Sequence, residues 1–203
     1  MTLSAGEKAQ VVELIQAGVR SSTERLGQLS NTEWGVNFAD TQEMSPVRVL
    51  SWFSHNQQDH VAVCFRSTSE MPLEILILFS EASASAVVDA VTAPYKEGLR
   101  SVPDLMRSTI GEVCNILAQN VLAVMSDRCG ISIILTIPDV DVGTKAVLTS
   151  AALEGYDGRK DVLLLANVQL HSERLDAECS MMVVVNEAVM RGLLGRIPRP
   201  PAA

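Results

Sequence analysis

Four polar side chains, Ser108, Glu112, Asn115 and Gln119, interrupt a stretch that is otherwise apolar or small, with Ile110, Val113, Cys114, Ile116, Leu117, Val121, Leu122 and Val124 around them. A carboxylate and a carboxamide three positions apart divide two tasks. The carboxylate attracts a cation, and the carboxamide accepts and donates hydrogen bonds without changing charge. On a helix of 3.6 residues per turn the four positions fall within an arc of roughly 60°, so one rigid element presents them together. No Lys or Arg stands four residues after Glu112, where position 116 is Ile, so the carboxylate has no intrahelical ion pair. A solvated helix face has the same composition, and that plainer reading stands beside the chemical one.

The rest of the chain must position that face. Ser4-Ala-Gly-Glu7 has the form of a capping box, and Val12, Ile15, Val19, Leu26 and Leu29 follow at helical steps, predicting a first helix that ends near Ser30-Asn31. Strand-like runs are expected at 34–39, 47–54, 60–66 and 73–79, the last almost wholly apolar as in a central strand. A helix over 81–91 follows, stopped by Pro94. The order then repeats. Ser101-Val-Pro-Asp104 begins a helix that runs to about Arg128 and stops at Gly130. Strand-like runs stand at 131–137, 144–151, 162–169 and 178–185, and a short helix spans 187–195.

Two landmarks test for duplication. Glu13 and Glu112 lie 99 residues apart, and the junctions Phe79-Ser-Glu81 and Val185-Asn-Glu187 lie 106 apart. Near-equal offsets predict an α+β fold built as a pseudo-twofold duplicated α-β-β-β-α repeat. The expected form is an antiparallel-rich sheet with two long helices packed on one face. Residues 1–195 are expected to make a single domain, repeat 1 at about 4–95 and repeat 2 at about 100–195. The Pro-rich tail 196–203 is expected to be disordered.

Composition narrows the function. The 203 residues are 47% hydrophobic and 20% charged with a net charge of −8, an ordinary globular balance that is repelled by a phosphate backbone or an anionic membrane. No apolar run is long enough for a bilayer, and residues 1–8 lack a basic region followed by an apolar core. A cytoplasmic protein with neither nucleic-acid nor membrane partners is therefore expected. Cys64, Cys114, Cys129 and Cys179 form no C-x-x-C pair and read as reduced thiols. His55, His60 and His171 are isolated in sequence and read as surface residues, and Asp139-x-Asp141 is too small a cluster for a calcium loop, so no metal site is expected. Neither a G-x-S-x-G nor an H-E-x-x-H pattern occurs.

Ser108-x-x-x-Glu112-x-x-Asn115, continued by Ile-Leu-Ala, resembles the signature of the CheC/CheX/FliY family of chemotaxis phosphatases. Glu13-Leu-Ile-Gln16-Ala-Gly resembles a decayed copy of that family's first motif, and 73–91 and 162–194 resemble the strand-then-helix ends of its repeats. The resemblance implies a phosphatase acting on the aspartyl phosphate of a CheY-like receiver. Asn115 would orient the attacking water and Glu112 would dock to the receiver's active-site lysine. Ser108 and Gln119 would assist docking. Ala9, Glu13 and Gln16 would form a degenerate first site, since Gln16 carries one methylene too many. The chain itself would bind no cofactor, the Mg²⁺ being held by the partner receiver. A non-catalytic module that binds a receiver or the deamidase CheD is the alternative, and a homodimer stays open. A FliY-like flagellar switch component ranks lower. Acidic receivers would be repelled at long range unless a basic patch, such as one near Arg107, compensates.

Overall fold

The computed structural model describes residues 3–67, 69, 71–95, 104–172 and 175–197. The first helix, α1 (Ala5–Ser30), begins with the expected capping box. Glu7 N–H donates to Ser4 Oγ at 3.3 Å and Ser4 N–H donates to Glu7 Oε2 at 2.7 Å, satisfying two orphan amides. It ends at Asn31, whose left-handed backbone (φ 52°) returns its N–H to the Gly27 carbonyl. Strand β1 (Gly35–Met44) follows.

The next segment departs from expectation. Positions 47–54 form no strand but the helix α2 (Pro46–Phe53). Alternating Val47 and Val49 suggested a strand, yet Ser45 caps the helix by accepting from Arg48 N–H, and Pro46 sits at its first position where a missing amide is harmless. Val49 and Phe53, one turn apart, are the buried pair, while Val47 is exposed. Strands β2 (Asp59–Ser67) and β3 (Leu73–Ser80), helix α3 (Glu81–Thr92) and a 3₁₀ turn at Ala93–Tyr95 complete the first half.

The second half repeats this plan. Helix α4 (Leu105–Cys129) starts at Asp104 (φ 51°) and stops at Gly130 (φ 64°); Ser101, Val102 and Pro103 of the expected cap lie outside the described residues. Residues 131–137 make no regular strand. Thr136 N–H donates to the Arg66 carbonyl at 2.8 Å and its Oγ1 accepts from Arg66 N–H at 3.1 Å, along the flank of β2, but the ladder begins only after Pro138 with β4 (Asp139–Thr144). Positions 144–151, expected as a strand, are the helix α5 (Lys145–Ala152), capped by Thr144. It stands where α2 stands in the first repeat, and the capping Ser45 and Thr144 are 99 positions apart. Strands β5 (Asp161–Ser172) and β6 (Leu175–Asn186) and helix α6 (Glu187–Leu194) close the chain. Of the tail, 198–203 lie outside the described residues.

The six described strands form one antiparallel sheet in the order β1-β5-β6-β3-β2-β4. Exchanging each strand of one repeat for its counterpart in the other reverses this order onto itself, so a pseudo-twofold runs between β3 and β6. Each repeat is therefore α-β-α-β-β-α, three strands as expected with a short helix inserted after the first.

Both faces of the sheet are covered, which is why β3 reads as an unbroken apolar run rather than an alternation. Alternate residues Val61, Val63, Phe65, Ile75, Ile77 and Phe79 pack under α1, α3, α4 and α6. Ala62, Leu76, Leu78, Leu163, Leu165 and Met182 pack under α2 and α5. The long helices α1 and α4 meet at Gly18, where an added Cβ would run into the Val121 backbone. A larger residue there would force the rods apart. No described helix is long and apolar enough to cross a membrane.

Candidate functional site

Helix α4 is buried along most of its circumference: Ile110, Val113, Cys114, Leu117, Ala118 and Val121 are fully buried. The Ile, Val and Leu side chains among them contribute about 1.5–3 kcal/mol each when removed from water, so the rod is anchored by its apolar residues and its polar line need contribute nothing to packing. On that line Ser108, Glu112 and Gln119 are exposed and Asn115 is half-buried, all facing outward. Gln119 Nε2 donates to Asn115 Oδ1 at 3.0 Å, one turn along the helix. That bond fixes the Asn115 carboxamide and leaves its oxygen a second lone pair. Glu112 has no hydrogen-bond or ion-pair partner among the described residues.

These side chains form one wall of an open cleft of about 510 Å³, with Gly111 at its floor and residues 138–141 opposite. The far wall is pinned from two sides. The Arg107 guanidinium donates to the Val140 carbonyl. Arg66 lies 3.6 Å from the Asp139 carboxylate while also holding Glu74 at 3.2 Å. Asp139 and Asp141, too small a cluster for a calcium loop, face the motif helix. Nothing in local sequence could reveal this, because the hairpin of α4 against β4 creates the neighbourhood. Three carboxylates and one guanidinium line the cleft, so the neighbourhood of Arg107 is acidic rather than a basic patch.

The corresponding part of α1 is laid out differently. Glu13 and Ala9 are exposed and Gln16 is half-buried, on a helix whose Val11, Ile15 and Val19 are buried. Lys8, 99 positions before Arg107, is held by Glu43 of β1 at 2.6 Å, so in each repeat a basic residue of the long helix is tied to the first strand. The two helices are linked where Ser21 Oγ donates to Asn120 Oδ1 at 3.3 Å.

The remaining candidates separate. His55 and His171 are exposed, but His60, expected at the surface, is 3% exposed, because strand β2 directs it onto the sheet face beneath α2. Among the described residues no three His, Cys, Asp or Glu side chains gather as a metal site. Cys64, Cys114, Cys129 and Cys179 are free thiols. Burial, with the Glu74 carboxylate second, pushes Cys64 up to about 12, and burial does the same to Cys179, so neither is a ready nucleophile.

The sequence matches no family model and no curated relative. Solved structures do match. FliY of Thermotoga maritima superposes with a TM-score of 0.73 at 14% identity, over 97% of this chain and 98% of that one. CheX of Desulfovibrio desulfuricans gives 0.55 at 13% identity over 86% and 99%. The fold is that of the CheC/CheX/FliY family. The FliM middle domain of H. pylori shares this CheC-like fold, with a TM-score of 0.67 at 9% identity over 96% and 100%. Within the CheC-like fold, the two halves of the present chain differ in their long helices: α4 carries Ser108, Glu112 and Asn115, and α1 carries Ala9, Glu13 and Gln16.

Proposed function

We propose that the chain hydrolyses the aspartyl phosphate of a CheY-like receiver, using the outward line of α4. One observation carries this reading: Glu112 and Asn115, three residues apart on a helix that is otherwise buried, project together over an open cleft with the Glu112 carboxylate unpaired. An acyl phosphate is already activated, so catalysis requires mainly that water be held in line with phosphorus. The free lone pair of Asn115 Oδ1 accepts a hydrogen bond from the water and aims its oxygen at phosphorus, and both water protons stay with the phosphate product. The new P–O bond forms as the bond to the aspartyl oxygen breaks, and the carboxylate leaves with the electron pair. Glu112 docks on the receiver's lysine, and the acidic far wall favours the same basic group. Ser108 and Gln119 support the docked geometry, Gln119 through its bond to Asn115. The Mg²⁺ belongs to the receiver.

Phosphate release from a phosphorylated CheY-like receiver tests the reading. The chain accelerates release and Asn115→Ala abolishes the acceleration; unchanged release in that variant refutes the assignment. A second reading has its own support. FliM, which shares the fold, is known in complex with FliG, so a receiver- or protein-binding module without turnover is compatible with this architecture. The same assay separates them, because stoichiometric binding with unchanged phosphate decay identifies the module. CheD is the other partner to test.

A further inference from the structure

Under α2 and α5 the sheet face is apolar through its middle and polar at both ends, Arg66, Glu74, Asp161 and Asn186 standing at one of them and a cavity at the other. The residues aligned with Ala62, Leu78, Leu165 and Met182 on that face are His60 of β2, Ser80 of β3, Asn167 of β5 and Ser180 of β6. A sheet edge open to solvent would explain polar residues, but His60 is 3% and Ser180 6% exposed. They line a cavity of about 380 Å³ between the sheet, the end of α2 and the start of α5. Trp52, half exposed, and Phe53 form its aromatic wall.

Lys145 enters this cavity from the first position of α5. A cation there opposes the positive end of the helix dipole, and the first turn of α5 contains no acidic residue. Its ammonium donates to Ser180 Oγ at 3.2 Å and lies 5.0 Å from the centre of the Phe53 ring. Among the described residues no carboxylate comes within salt-bridge distance of it, although Glu178 stands on the cavity rim. Burial lowers its proton affinity, partly offset by Glu178. Two of its three protons remain for another acceptor. His60 supplies the opposite function. Its Nδ1 lies 2.9 Å from the Gln58 carbonyl and therefore carries the proton, leaving Nε2 as an acceptor. Among the described residues Nε2 has no hydrogen-bond partner, and His60 lines the cavity.

We infer that this cavity binds a small aromatic or alicyclic carboxylic acid. Its carboxylate is held by Lys145 at the start of α5, its ring lies against Trp52 and Phe53, and a hydroxyl or amino substituent donates to His60 Nε2. The organic body distinguishes such a ligand from inorganic phosphate, for which the aromatic wall is useless. The site is on the sheet face opposite α4, so it is independent of the phosphatase reading.

Benzoate and its neutral isostere benzamide are suitable probes on the full chain, read by the indole N–H signal of Trp52, which is assigned from its loss in Trp52→Phe. Benzoate shifts the signal saturably, and benzamide binds at least tenfold more weakly. Lys145→Met, which keeps the aliphatic stem, weakens benzoate at least tenfold. Equal binding of the two probes, absence of a saturable benzoate shift, or an unchanged affinity in a folded Lys145→Met chain each overturns the inference. The benzoate–benzamide comparison uses the unaltered protein and decides the matter even if the variant does not fold.

Discussion

At the scale of single residues, the candidate site separates anchoring from chemistry. Asn115 is half-buried and its neighbours inward of it hold the helix, so truncating it removes a hydrogen-bonding group and little packing. Asn115→Ala is expected to lower phosphate release from a phosphorylated receiver by about 100-fold or more, the size of effect that follows from misplacing a reacting group. Its thermal midpoint should stay close to that of the parent chain. Glu112→Ala is expected to act on docking instead, raising the receiver concentration for half-maximal rate by roughly tenfold while the saturated rate changes less, since an interaction made equally in ground and transition states alters KM alone. The first helix offers the converse experiment. Replacing Ala9 by Ser and Gln16 by Asn together is expected to add phosphatase activity to an Asn115→Ala chain; release indistinguishable from that background would show that α1 lacks the docking wall, not only the side chains.

Elements decide what those residues can reach. α1 and α4 meet where Gly18 leaves no room for a side chain, so Gly18→Ala is expected to destabilise the fold by about 1–3 kcal/mol through overpacking, seen as a lower urea midpoint. Ser4→Ala removes one half of the capping box of α1 and is expected to cost about 1 kcal/mol by the same measurement. The short helices α2 and α5 show how local signals compete. Val47 and Val49 alternate as a strand would, but the Ser45-Pro46 start and the one-turn spacing of Val49 and Phe53 carry the helix, and covering the second sheet face favours it. Thr144 did the same for α5, where the β-rich Val147-Leu148-Thr149 obscured a cap. Both caps were present in the sequence, yet the apolar alternation spoke for strands.

The whole molecule sets its response to pH. Burial lowers the proton affinity of His60, with the Gln58 carbonyl opposing and Lys145 assisting. A group whose proton affinity falls on folding takes its proton first in the unfolded chain. Stability is therefore expected to drop as pH falls below the ordinary value of 6.5, until the folded-state value is passed. Glu7 acts in the same direction lower down. The Ser4 amide, then the Ser4 hydroxyl and Arg191, hold its carboxyl below the ordinary 4.5, giving stability that is present above 4.5 and lost as pH falls through the folded value. Urea midpoints at pH 7.5 and 5.5 should differ, and His60→Gln should flatten that interval while leaving the more acidic loss in place.

The sequence alone determined what is periodic or local: the capping box at Ser4, the apolar stripe of α1, the central run of β3, the stops at Asn31 and Gly130, the 99-residue offset, and the arc that gathers Ser108, Glu112, Asn115 and Gln119. These follow from neighbours within a few positions, or from repetition, and both can be counted along a chain. Tertiary structure decided the rest. Pairing of β2 with β4 placed Asp139 and Asp141 across from Glu112, and the register of β2, β3, β5 and β6 collected His60, Ser180 and Asn167 beside Lys145. Such contacts join residues tens of positions apart, and whether a polar side chain is sealed inside or left in water depends on which face of the sheet the closing helices cover.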